Sequence, residues 1–129
     1  MAGYVTDIEE KTETNEYFRQ VLFTGKHSQL VVMTLQPGED IGMEVHPNVD
    51  QFFRIEEGHG KVIIDGEESE IKDGTAIVIP AGAEHNIINT GEETLRLYTI
   101  YSPPNHLDGT IHKDKAEAMA AEEVERHTS

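Results

Sequence analysis

The chain has 129 residues with 25 Asp or Glu against 10 Lys or Arg, which gives a formal net charge of −15 at pH 7. It has no cysteine, which excludes a disulfide framework, a thiolate zinc finger and a thiol nucleophile. The negative charge disfavours binding to nucleic acid or anionic membranes, and residues 1–17 lack the apolar run of a signal peptide. The default expectation is a cytoplasmic protein of one domain.

Short apolar runs separated by turn residues follow one another along the chain. They are rich in Val, Ile, Leu, Tyr and Phe, and Asp65-Gly66 between two of them favours a two-residue hairpin turn. Only the tail, residues 114–127, is rich in strong helix formers. The pattern predicts an antiparallel β-sandwich or barrel. The predicted strands are residues 20–23, 29–35, 51–55, 61–64, 75–79, 85–89 and 95–101.

Two segments combine glycines at fixed spacing with polar side chains. In the second segment, five residues separate the first Gly from the Pro, one separates the Pro from the next Gly, two separate that Gly from the His, and three separate the His from the Asn. In the first segment, polar side chains also stand at fixed spacing between two glycines. Turn residues at fixed offsets before a histidine rarely arise by chance in a chain this short. The residues that fix the two patterns are Gly38, Glu44, His46, Gln51 and Gly58, and then Gly74, Pro80, Gly82, His85 and Asn89.

These segments resemble the two motifs of the cupin superfamily, and the chain looks like the small single-domain cupins that are often labelled mannose-6-phosphate-isomerase-like. The resemblance implies an all-β fold, the cupin double-stranded β-helix or jelly-roll barrel, with a short C-terminal helix. It implies one cupin domain over residues 1–129. The barrel core would cover about 18–102, and a C-terminal loop and helical tail would cover 103–129.

In cupins these positions carry the ligands of one divalent transition metal, so the resemblance assigns Glu44, His46, Gln51 and His85 as metal ligands. This sequence departs from the usual pattern, because Glu44 replaces a histidine and Gln51 replaces a glutamate. Residues two apart in a strand point the same way, which puts Glu44 and His46 on one face. Two imidazoles and one carboxylate suit iron, manganese, nickel, cobalt or zinc. The alternative is an intact barrel with an empty site.

Strand alternation predicts what surrounds the site. With Gln51 and His85 pointing inward, the interior is expected to be apolar, without a cation, since Arg54 and Arg96 point outward. The segment 101–112 either crosses the barrel mouth and presents His106 or His112 as an acid/base group, or forms an ordered surface loop.

Three functions remain open. The first is a metal-dependent enzyme acting on a small oxygenated molecule (a sugar, uronate or keto acid) by isomerase or lyase chemistry, with Glu44 and His106 as candidate catalytic groups. The second is an oxygen-activating dioxygenase, and the third is a non-catalytic small-ligand binding or sensor module. By resemblance the protein is expected to be a homodimer that exchanges residues 16–23. The negative charge predicts that it has no nucleic acid or membrane partner.

Overall fold

A computed structural model describes residues 3–128, with side chains described as far as residue 123. The described residues form nine strands, with one helix near each end. The elements in chain order are α1 (Ile8–Thr14), β1 (Arg19–Thr24), β2 (Gln29–Leu35), β3 (Asp50–Glu57), β4 (His59–Ile64), β5 (Glu67–Lys72), β6 (Ala76–Ile79), β7 (His85–Ile88), β8 (Leu95–Ser102), β9 (Ile111–His112) and α2 (Lys115–Thr128).

The strands form two antiparallel sheets. The larger sheet has the order β6-β3-β8-β2-β1-β9, and the smaller has the order β5-β4-β7. The segment before β3 extends the smaller sheet, because Asp40 bridges Ile88 and Glu44 bridges His85 on the far side of β7. This architecture confirms the predicted all-β jelly-roll barrel with a C-terminal helix.

The hydrophobic core fills the space between the sheets. Burial alternates along β3 and β8, where Phe53, Ile55 and Leu97 are at most 1% exposed while the residues between them are partly exposed. The smaller sheet contributes Ile87, which is fully buried, to the same core. Inward residues of β3, β7 and β8 therefore share one interior, as strand alternation predicts.

Two glycines next to β4 have the positive φ values that favour glycine. Asp65 and Gly66 have φ of 48° and 83°, which confirms the tight turn between β4 and β5. Gly58 has φ of 104°, and a Cβ there would lie 2.7 Å from the Thr94 carbonyl oxygen. The last glycine of the first motif thus allows β3 to turn into β4 against the start of β8.

The N-terminal segment differs from the sequence prediction, in which only the tail was helical. Residues Ile8–Thr14 form α1, and the carboxylate of its N-cap residue Asp7 accepts a hydrogen bond from the Glu10 backbone nitrogen at 3.1 Å. Arg96 donates to the Asn15 carbonyl just after this helix, which fixes α1 against β8. A seven-residue helix has a weak apolar signature, so its capping residue was the only clear signal.

Both edges of β1 are paired within the chain, with β2 on one side and β9 on the other. The exchange of residues 16–23 between two copies stays a prediction. No helix within residues 3–128 combines the length and the apolarity needed to cross a bilayer.

Candidate metal centre

Glu44 and His46 enter the barrel from the segment that runs along β7. Glu44 exchanges two backbone hydrogen bonds of 2.9 Å with His85, and the His46 carbonyl accepts from Gly82 at 2.9 Å. Their neighbours Met43 and Val45 are 51% and 48% exposed. The first motif is therefore tied to the second by its backbone, and the alternation turns Glu44 and His46 to the inner face.

The two side chains lie close together. His46 Nε2 is 3.4 Å from Glu44 Oε2, and His46 Nε2 is buried without a hydrogen-bond partner. With metal–ligand bonds of about 2.1 Å, two donors on one tetrahedral ion are about 3.4 Å apart. The pair thus fits two ligands of one ion.

His85 begins β7 and is 3% exposed. Its Nδ1 lies 3.1 Å from the Ala83 carbonyl oxygen, and because a carbonyl only accepts, Nδ1 carries the proton. In the neutral form of the ring, the Nε2 atom therefore keeps its lone pair. A histidine that binds metal through one nitrogen and donates from the other to a carbonyl has this arrangement.

Gln51 reaches the interior from the larger sheet. Its Nε2 donates to Thr99 Oγ1 at 3.0 Å, whereas its Oε1 is buried without a partner. A buried, unpaired amide oxygen costs free energy unless something binds it. The amide is thus held with its hard oxygen donor available, as a metal ligand requires.

The four predicted ligands meet in one interior, but they do not form a closed cage. The His46 and His85 rings are 5.5 Å apart between centroids, and within residues 3–128 no three His, Asp or Glu side chains are placed to hold a metal ion unaided. The amide oxygen of Gln51 supplies a donor that such a triad lacks.

Glu44 is ionised in this setting. Burial alone raises the pKa of its carboxyl group, but the close contact with His46, together with the nearby Arg19 and His85, holds the pKa below its usual value. The carboxylate therefore provides the one negative charge among the four predicted ligands.

The interior is not the apolar, cation-free space that the sequence predicted. Arg19, one residue before the predicted start of the first strand, is fully buried, and its Nη1 donates to His112 Nδ1 at 3.1 Å. Arg54 and Arg96 do lie on the outer side, in ion pairs with Glu56 and Glu57. The missed signal was the alternation itself, which places residue 19 on the same face as the buried Val21.

Tyr101 and His106 form a second polar pair beside the predicted ligands. Tyr101 lies opposite Gln51 on β8, its ring is 6.0 Å from that of His46, and its hydroxyl is 3.2 Å from His106 Nε2. Burial raises the pKa of Tyr101 to about 12, so the hydroxyl keeps its proton in its hydrogen bond with His106. Burial and the charge of Arg19 lower the pKa of His106 to about 3. The imidazole is therefore neutral.

Gln29 holds the segment after β8 over the barrel. Its Oε1 accepts from the backbone nitrogens of Asn105 and His106 at 3.1 and 2.9 Å, and its Nε2 donates to the His106 carbonyl at 2.7 Å. The segment is thus fixed against the start of β2, with the His106 ring turned toward Tyr101. His112 lies on β9, where its Nδ1 accepts from Arg19 and its ring centroid is 6.4 Å from that of His106.

Comparisons with known proteins agree with this architecture. A family profile described as "Cupin domain" matches residues 31–101. Uncharacterized protein YrkC of Bacillus subtilis is 51% identical over 126 residues, which cover 93% of this chain and 68% of that protein. Uncharacterized protein L612 of Acanthamoeba polyphaga mimivirus is 46% identical over 113 residues, with 84% and 70% covered.

Among solved structures, the crystal structure of BH2720 from Bacillus halodurans is similar with a TM-score of 0.91 and 48% identity, over 92% of this chain and 95% of that one. The family profile covers more than half of the present chain and spans both motifs from His46 to His85. The chain therefore belongs to the cupin family.

Proposed function

We propose that this cupin is a metal-dependent enzyme that acts on a small oxygenated molecule, such as a sugar, uronate or keto acid, by isomerase or lyase chemistry. The observation that carries the proposal is the set of donors in one interior. His46 Nε2 and Gln51 Oε1 are buried without partners, His85 Nε2 keeps its lone pair, and Glu44 adds a carboxylate.

The donor set defines the ion. Two imidazoles, one carboxylate and one amide oxygen suit iron, manganese, nickel, cobalt or zinc, and the lack of sulfur disfavours copper(I). One negative charge among four ligands leaves a divalent centre with a net charge of about +1. When bound, such an ion would act as a Lewis acid toward a carbonyl or enediol oxygen.

The chain supplies the remaining groups. Glu44 is an ionised carboxylate, 23% exposed, and is thus within reach of a ligand that enters the mouth. His106 is a weak base at neutral pH because its pKa is about 3, so it suits hydrogen bonding to a ligand better than proton transfer. Of the two candidate catalytic groups, Glu44 is the one that carries a negative charge at neutral pH, and we assign it the role of proton acceptor.

A dioxygenase is the second candidate, because Glu44, His46 and His85 amount to two histidines and one carboxylate, the donor set of mononuclear iron oxygenases. The third is a ligand-binding module without catalysis. The three functions share the same barrel and differ in what the ion does.

Metal analysis of untagged protein tests the proposal. We expect one divalent ion per chain, and zinc, nickel, cobalt or manganese without oxygen consumption supports isomerase or lyase chemistry. Iron together with substrate-dependent oxygen uptake would favour the dioxygenase. Failure to retain any ion after reconstitution would overturn metal dependence and leave the binding module.

A further inference from the structure

Arg19 is a buried cation that the four predicted ligands do not explain. It is 0% exposed, whereas the outward arginines Arg54 and Arg96 are each ion-paired with carboxylates at 3.2 Å. None of the ion pairs among the described side chains includes Arg19. A buried guanidinium without a paired anion is costly.

Arg19 contacts the Phe18 ring, the Tyr101 hydroxyl and the His112 imidazole, none of which is a carboxylate. Arginine can only donate, so the Nη1 hydrogen bond requires a lone pair on His112 Nδ1 and a neutral imidazole. The Arg19 Nε atom is buried without a hydrogen-bond partner. The guanidinium therefore has a donor left for an acceptor that the described side chains do not provide.

Arg19 belongs to the same interior as the predicted ligands. Arg19 donates to His112, and the ring centroids of His112 and His106 are 6.4 Å apart. The His106 ring is 5.1 Å from that of Tyr101, which in turn is 6.0 Å from that of His46. The charge of Arg19 also acts on Glu44 and on the Tyr101 hydroxyl. Glu44 is the acidic group of this interior, and metal ligation would commit its charge to the ion.

We propose that Arg19 is the recognition residue for a carboxylate, and that the ligand of this barrel is a small monocarboxylic acid carrying a second oxygen, a hydroxy or oxo acid. The inference rests on the proposed function only in directing the second oxygen to the metal. The guanidinium fork matches a carboxylate, and its buried Nε is one of the two donors that a bidentate pair needs.

The charge of the interior limits the ligand to one negative charge. Arg19 is the one guanidinium or ammonium group buried among the described side chains, and His106 and His112 are neutral. The protein as a whole carries −15. A dianion such as a phosphate monoester would enter against this field without a second cation to receive it.

The test uses lactate and lactamide as probes, because they share size and hydroxyl group and differ in charge. In the protein as purified, we expect lactate to shift the Arg19 Nε–H resonance and to bind at least about tenfold more tightly than lactamide. The variant Arg19→Gln should lose this preference, and the matched control Arg54→Gln should keep it. Calorimetry gives the affinities, and circular dichroism confirms the fold of each variant.

Equal binding of the two probes to the unmodified protein, or no binding of lactate, would overturn the proposal whatever the fate of the variants. Lactate preference that persists in a folded Arg19→Gln protein would overturn it as well. Metal content is measured on the same samples. Arg19-dependent lactate binding by a protein that retains no metal would support the carboxylate site and contradict the proposed function. Metal retention without Arg19-dependent lactate binding would support the proposed function and contradict the carboxylate site.

Discussion

Gln29 and His106 are 77 positions apart in the chain and are joined by two hydrogen bonds that run in opposite directions. The side-chain amide of Gln29 makes the hydrogen bonds that a neighbouring strand would otherwise make to the segment after β8. Gln29 is 1% exposed. When every polar atom of a buried side chain is hydrogen-bonded to a loop, the loop is held in a single conformation. The location of His106 beside Tyr101 thus depends on a residue of β2.

Gln29→Ala should release this segment. The substitution leaves two backbone donors and one carbonyl without their partner, so we expect a loss of about 2–3 kcal/mol in the free energy of unfolding. Denaturant titration measures the loss, and amide hydrogen exchange at Asn105 and His106 locates it. Gln36→Ala, at an exposed turn, is the control, and an equal effect of both substitutions would refute the role of Gln29.

His46→Ala and His85→Ala should each abolish metal retention while the barrel remains folded. Each removes an imidazole from the predicted ligand set, and neither residue belongs to the apolar core cluster. Mass spectrometry of metals after dialysis is the measurement. His59→Ala, an exposed histidine at the start of β4, should retain the ion; full occupancy in either ligand variant would contradict the assignment.

Exchanging the carboxylate between two positions should weaken and then restore binding. Glu44→Gln removes the one carboxylate from the set and should lower metal affinity by about 10–100-fold, since charge neutralisation is lost. The double variant Glu44→Gln/Gln51→Glu returns the charge at Gln51 and should regain most of the affinity. Competition with a chelator compares the variants, and an unchanged affinity of Glu44→Gln would remove Glu44 from the ligand set.

His106 should make the metal-free protein sensitive to acid. Its pKa falls from 6.5 to about 3 on folding, so the folded state binds fewer protons than the unfolded one. This contribution to stability is complete above pH 6.5 and is lost as the pH falls toward 3. The free energy of unfolding should drop by on the order of 2 kcal/mol over this range.

His106→Asn should reduce that acid-dependent loss. His27→Asn, in the exposed turn between β1 and β2, serves as the control for the general effect of acid. Urea unfolding at a series of pH values gives the comparison. Parallel curves for the unmodified protein and His106→Asn would show that His106 titrates normally in the folded state.

The homodimer stays a prediction, and β6 offers a way to test it. This strand is one edge of the larger sheet, and its Val78 is 66% exposed. An exposed apolar edge strand favours pairing with another strand. Val78→Asp should convert a dimer to a monomer in light scattering, whereas Val5→Asp, at a residue 99% exposed before α1, should not; a monomeric unmodified protein would refute the dimer.

Most strands could be predicted from the sequence because local signals agree with the final packing. The alternation along β8 gives the inward face of Leu95, Leu97, Thr99 and Tyr101 directly, and all four are buried. The glycines and the proline of the second motif fix where β6 ends and β7 begins. These signals are local in the chain, so no tertiary information is needed to read them.

The chemistry of the interior could be predicted only in part. The strand boundary was one residue late at Arg19, and that single residue changes the charge of the cavity. The contact between Gln29 and His106 joins segments far apart in sequence, and no local pattern reports it. Element ends and long-range polar contacts are set by packing, which is why they were missed.

The predicted ligands come from both layers of the sandwich. Gln51 belongs to the larger sheet through β3, while His85 belongs to the smaller sheet through β7, and Glu44 is hydrogen-bonded to that same strand. An ion bound by these residues would cross-link the two sheets. Dissociation of the ion would then require the two sheets to separate transiently. The dissociation rate of the metal would therefore measure how often this opening occurs.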